Sequence, residues 1–211
     1  MSKKHFLALP VTGDTFAEVR EKNRYYVDKT PYLKTVFSED EAVDDKSLIN
    51  GTTVLLLTRP RRFGKTLLMS MFESFLKISA KEPGNITKHL NYFKGTKILE
   101  DKEFCKKYMG QFPVISITLK DVLGDDFESA YLKLAEVVSA KANEFSFLKE
   151  SPYLNEMEKA KFNLLCDEIY LKKADKQAIS YVTSAIKSLS LMLYKHFNKQ
   201  VYILIDEYDV P

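Results

Sequence analysis

Thr58-Arg59-Pro60-Arg61-Arg62-Phe63-Gly64-Lys65-Thr66 sets a glycine, a lysine and a hydroxyl in consecutive positions behind three arginines. That order suits a polyphosphate. Amide groups at a turn and at the start of a helix converge on an anion, and Gly64 lets the backbone come close. Lys65 carries a mobile positive charge to the outer phosphate oxygens, and the Thr66 hydroxyl can ligate Mg²⁺. The predicted nucleotide-binding set is Arg59, Pro60, Arg61, Arg62, Phe63, Gly64, Lys65, Thr66 and Leu67. The full phosphate-loop pattern opens with glycine, and here Arg59 stands in that place. A bare Gly-Lys-Thr is a weak signal, so the context must carry it. Arg59, Arg61 and Arg62 read either as a solvated basic turn or as phosphate contacts, and which of them faces inward stays open.

A second group closes the chain's last apolar run: Val201-Tyr202-Ile203-Leu204-Ile205-Asp206-Glu207. A carboxylate at the C-terminal end of a buried parallel strand sits where such sheets bind ligands. Asp206 is expected to hold Mg²⁺ together with Thr66. Glu207 is expected to orient or deprotonate an attacking water. The predicted catalytic residues are therefore Glu207, Lys65 and Asp206, with Thr66 and Asp206 on the metal.

These side chains need strands that end, and helices that begin, at the right places. Residues 52–58 (TTVLLLT) are apolar on both faces and predict a central parallel strand. From Thr66 to Ile78, Leu67, Leu68, Met71, Phe72, Phe75 and Leu76 recur at helical spacing. Residues 112–119 predict a second strand and 201–205 a third. Phe16–Glu21 reads as a short helix capped by Asp14, and Asp125 to Glu128 has the form of a capping box before a helix running through Val138. One helix is predicted from about Asp175 to Phe197. Strands alternating with helices argue for an α/β fold, a three-layer sandwich around a mostly parallel sheet. Residues 1–50 read as an N-terminal segment packing on a core of 51–211, whose part from about 125 to 198 is a helix-rich insertion.

Composition excludes other classes. The 211 residues at ~150 per domain suit one large domain or one with an appendage. Net charge is +3, too balanced for a polyanion-coating protein. Apolar residues are 45%, enough for a sizeable core. Neither a membrane span nor a signal peptide's apolar stretch is seen, since Phe6 to Leu9 is cut short by Pro10, so a cytoplasmic location is expected. Cys105 and Cys166 lie far apart and read as small buried residues, and His5, His89 and His196 have no zinc-like spacing.

Four pieces together resemble the bacterial AAA-ATPase-like family: Tyr25-Tyr26-Val27-Asp28-Lys29-Thr30, LLLTRPRRFGKT, FPVISITLKD and ILIDEYDVP. The resemblance spans about Leu9 to Pro211, and within it Arg59 is the ordinary residue. It implies a P-loop ATPase with ATP and Mg²⁺ as cofactors, Gly64, Lys65 and Thr66 at the Walker A positions, and Asp206 and Glu207 at Walker B. The choice of ATP over GTP rests on the resemblance alone. It also implies that the strand following Walker B belongs between the strands at 52–58 and 201–205. The sheet is then expected to be incomplete at its C-terminal end, and two edges would lack partners. Such proteins often continue into a nuclease-like C-terminal domain, and no PD-x-[DE]xK pattern occurs here. An aromatic from the N-terminal segment, Tyr25 or Tyr26, could stack on the base or simply cap the core.

The predicted function is Mg²⁺-dependent ATP hydrolysis that drives a conformational change in an attached effector, with turnover expected of the full-length protein rather than of these residues alone. Two alternatives stand beside it. One is a nucleotide-binding switch without turnover, which needs only the Walker A loop. The other is a nucleic-acid-binding protein, which the near-neutral charge disfavours. Expected partners are ATP, a second copy of the chain and, through a missing C-terminal domain, nucleic acid, with no membrane.

Overall fold

The computed structural model describes residues 8–11, 14–37, 54–58 and 63–208. They divide into two compact units, one drawn from 1–75 and 86–109, the other from 76–85 and 110–211.

The first unit is helical around an aromatic core. Its α1 covers Phe16–Glu21, as the pattern predicts, but the cap is Thr15 and not Asp14. Thr15 and Glu18 close a reciprocal capping box, while Asp14 instead accepts from the Val11 amide at 2.7 Å and pairs with Arg24. α2 (Pro31–Phe37) begins on a proline, where the missing N–H costs the helix nothing. α3 (Lys65–Leu76) follows the glycine-lysine pair. α4 (Thr87–Phe93), a 3₁₀ turn at Lys97–Glu100 and α5 (Lys102–Tyr108) complete the unit. Leu68, Met71, Phe72 and Phe75 form the buried face of α3, the i, i+3, i+4, i+7 stripe that its periodicity predicts. Phe93 is the hub, with the Phe16 ring at 4.7 Å and the Phe75 ring edge-on at 5.3 Å.

The second unit holds the sheet. β1 (Val114–Thr118) pairs in parallel with β2 (Tyr202–Asp206), in register from Val114↔Tyr202 to Thr118↔Asp206. Lys77, just past α3, adds one parallel bridge to Phe112 ahead of β1. Parallel strands need a long crossover, and here it is five helices: α6 (Phe127–Glu144), α7 (Glu156–Cys166), α8 (Glu168–Leu171), α9 (Lys176–Thr183) and α10 (Ala185–Phe197). Tyr131, Ala135, Val138 and Ala142 form one stripe on α6 and join Phe162, Leu165, Leu189 and Met192 in a continuous core.

Three sequence expectations change here. The cap of α6 is Asp126 paired with Ser129, not Asp125 with Glu128. The single helix expected from Asp175 to Phe197 is two, broken at Ser184. Thr183 and Ser184 donate their hydroxyls back to the Ile179 and Ser180 carbonyls at 3.0 and 2.8 Å, competing there with the helix's own amides. Residues 52–53 lie outside the described residues, and 54–58 pair with no strand among those described. Val54 is 93% exposed rather than buried in a sheet centre. An extended segment becomes a strand only when a neighbour takes up its amides and carbonyls, and its apolar side chains are covered only when layers lie on both faces. The described residues thus form a helix-rich α/β fold with a two-stranded parallel sheet. Among them no helix is long and apolar enough to cross a membrane.

Candidate functional site

Of the predicted phosphate loop, Arg59, Pro60, Arg61 and Arg62 lie outside the described residues. The rest opens α3. Gly64 has φ +74°, a left-handed conformation that a side chain would strain. The first helical bond runs from the Leu68 amide to the Gly64 carbonyl at 2.9 Å. The amides ahead of that bond lie outside the helix's own ladder, at its positive end. Lys65 is the first helical residue and is half-buried, Thr66 is exposed and Leu67 half-buried. Phe63, Gly64 and Lys65 share one pocket with Leu57 and Leu68, and with Lys29 and Tyr32 from the N-terminal segment.

Lys29 was not among the residues singled out for this chemistry. Its ammonium donates to the Phe63 carbonyl at 3.3 Å and lies 3.1 Å from where a Cβ on Gly64 would sit. Its backbone is held from both sides. The Lys29 amide donates to the Tyr26 hydroxyl at 3.2 Å, and that hydroxyl donates to the Met71 sulfur of α3 at 3.2 Å. On the other side, Asp28 accepts from the Thr30 amide and hydroxyl at 2.9 and 2.7 Å and from the Lys97 amide at 2.8 Å. The fully buried Thr30 hydroxyl accepts in turn from the Ile98 amide at 3.2 Å. Burial acts to raise the Asp28 carboxyl, but the Lys97 amide and the two Thr30 donors outweigh it and hold it below its usual range. Tyr26 packs edge-on to Phe16 at 5.1 Å, and burial pushes its phenol up to about 12. Tyr26 is therefore a half-buried brace for Lys29 packed on the aromatic core, while Tyr25 is 51% exposed. No local pattern marks Lys29, because its neighbours at the loop are more than thirty positions away in sequence.

The acidic pair is at the end of β2 in the second unit. Asp206 is 8% exposed, stands opposite Thr118, and its carbonyl accepts from the Leu119 amide at 3.0 Å. Its carboxylate accepts from the Glu207 amide at 3.1 Å. Glu207 is half-buried and has φ +54°, a left-handed backbone on a residue other than glycine. The strand's end thus turns sharply at the two carboxylates.

The other candidates have structural partners. Cys105 is buried and its thiol donates to the Ile98 carbonyl at 3.2 Å, while burial raises it and Cys166 alike. His89 lies 2.7 Å from the Ser74 carbonyl, and His196 lies 2.8 Å from the Ser151 hydroxyl within an aromatic group. Among the described residues no three His, Cys, Asp or Glu side chains cluster as a ready-made metal cage.

α3 thus opens on a left-handed glycine and a lysine, and β2 ends on Asp206 with Glu207 following. The family model described as predicted AAA-ATPase matches residues 10–211, and the chain belongs to this AAA-ATPase-like family. Searches of curated proteins and of solved structures gave no match. The residues present at the start of α3 suit an anion, since Gly64 sits at φ +74°, where a side chain would strain the backbone, and Lys29 and Lys65 line the same pocket.

Proposed function

We propose that the chain is the ATP-binding engine of an AAA-ATPase-like protein and that it hydrolyses Mg²⁺-ATP to move an attached effector. The observation that carries this is the start of α3, where Gly64 at φ +74° and Lys65 line one pocket, within a family match covering nearly the whole chain. Lys65 draws the outer phosphates to the helix end and offsets their charge. Of Arg59, Arg61 and Arg62, which lie outside the described residues, one or two are phosphate contacts in this reading. The Thr66 hydroxyl and the Asp206 carboxylate are the Mg²⁺ ligands, and the metal supplies charge neutralisation at the transferred phosphoryl group. Glu207 takes the proton of the attacking water, on a backbone that Asp206 holds through the Glu207 amide.

In this proposal the ATPase core is a P-loop sandwich, the effector is a nuclease-like C-terminal domain, and further partners are a second copy of the chain and nucleic acid. ATP is preferred to GTP on family grounds.

The test is calorimetric titration of Mg²⁺-ATP into the wild-type chain, Lys65→Ala and Glu207→Gln, with phosphate release followed in the same samples. Lys65→Ala should weaken binding by about 100-fold or more, the size expected for losing charge-assisted contacts. Glu207→Gln should keep binding and lose turnover. Binding without turnover in the wild type supports a nucleotide switch or an engine that turns over only in the full-length protein, and wild-type affinity in a folded Lys65→Ala variant sinks the phosphate-loop assignment.

A further inference from the structure

We infer that Lys29 is a second phosphate-contacting cation of the nucleotide pocket, delivered to the phosphate loop by the N-terminal segment. The inference rests on the phosphate-loop assignment above and adds a residue to it.

The geometry carries it in three steps. First, the Lys29 ammonium already touches the loop, at 3.3 Å from the Phe63 carbonyl and in the space beside Gly64 that a Cβ would need. Second, no carboxylate among the described residues forms an ion pair with Lys29 or with Lys65. The nearest carboxylate in sequence, Asp28, is turned away onto Thr30 and Lys97. Two ammonium groups lining one pocket repel each other unless an anion lies between them, so the pocket is matched to multiple negative charge. Third, Lys29 is aimed in advance. Tyr26 fixes its backbone to α3, and Asp28 with Thr30 fixes it to the turn at residues 96–98. A cation held this way gives up little further freedom when it meets a phosphate. Its single neutral bond to Phe63 is weaker than a charge-assisted bond to a phosphate oxygen, so the exchange is favourable when nucleotide enters.

The test uses the full chain and Mg²⁺-ATP as the probe. Lys29→Ala removes the cation, and Lys29→Gln keeps a donor for the Phe63 carbonyl without the charge. Both should weaken ATP binding by about ten-fold, and the loss should shrink as salt is raised, because it is electrostatic at a partly open site. Lys65→Ala runs alongside. If Lys65→Ala abolishes binding while Lys29→Ala and Lys29→Gln bind as the wild type does, the role of Lys29 is wrong and the pocket stands. If the glutamine alone restores full affinity, or removing the charge tightens binding, Lys29 is only a tie or a plug and the inference is overturned. The same holds if neither variant folds, since Lys29 then serves the structure. If wild-type chain binds no ATP, or Lys65→Ala binds as well as wild type, the underlying pocket fails and Lys29 falls with it.

Discussion

The two units differ in how far along the chain their polar ties reach. The second unit has one continuous apolar core, in which helices bury stripes of Leu, Ala, Val and Phe against one another and against β1. The first has an aromatic core of comparable kind, but its segments are tied by polar bonds that span long stretches of chain: Asp28 to Lys97, Thr30 to Ile98, Ser70 to Phe16, and Arg20 to the Tyr92 and Lys94 carbonyls. Apolar packing is forgiving of direction, whereas a hydrogen bond dictates it. The second unit has such ties too, from the Tyr131 hydroxyl to the Leu171 carbonyl and from the Ser139 hydroxyl to the Cys166 carbonyl, but over shorter stretches of chain.

The comparison breaks first on large core truncations. Phe162→Ala, from the centre of the second unit, is expected to cost about 3–5 kcal/mol in urea denaturation, and Phe75→Ala in the first unit about the same. Equal losses would show that both units rely on their cores and differ only in the polar ties. Those ties come next. Asp28→Ala leaves the Thr30 and Lys97 donors without their acceptor and should cost about 1–3 kcal/mol. It should also weaken ATP binding, because Lys29 loses its anchor, which no substitution in the second core should do.

The Asp28 tie has a pH signature. Its folded carboxyl titrates below the unfolded value, so its contribution is complete above about pH 4 and is lost as pH falls through the lower folded value. Acid titration followed by circular dichroism should show a shallower low-pH decline in Asp28→Asn than in the wild type. A smaller pair compares like with like. Thr15→Ala and Asn155→Ala each remove an N-cap and should each cost about 1 kcal/mol. Hydrogen exchange should place the first loss in residues 16–21 and the second in 156–166, and a loss spread over both helices in either variant would count against separate local effects. Least of all is expected from Lys195→Met, which removes an exposed pair with Glu158 and should leave stability within about 0.5 kcal/mol.

The same contrast explains what the sequence revealed. α1, the buried stripe of α3, and both strands of the sheet were legible, because each is written in local apolar spacing. Caps were legible in kind but not in position. Asp14 and Thr15, or Asp125 and Asp126, are adjacent residues that can each cap, and the backbone at the helix entry decides between them. The break at Ser184 was hidden because the apolar stripe of Ala178, Val182, Ala185 and Leu189 continues through it while the hydroxyls act on the backbone. Residues 54–58 carried a clear strand pattern, but a strand is a property of its neighbours. Gly64 and Lys65 stand at a helix start and Asp206 at a strand end, with Glu207 next to it, the local positions that the apolar runs around them predict. Lys29 was not legible, because its place depends on a tie between residues 69 positions apart.

The backbone at Glu207 carries a consequence for anyone trying to harden this protein. A left-handed conformation costs a residue with a Cβ roughly 1–2 kcal/mol that glycine avoids. A thermostability screen blind to turnover will therefore be drawn toward Glu207→Gly, and its winners will have discarded the carboxylate. Under the proposed hydrolysis, heat resistance and turnover are set against each other at this one position, so a search for a sturdier active variant has to hold residue 207 constant.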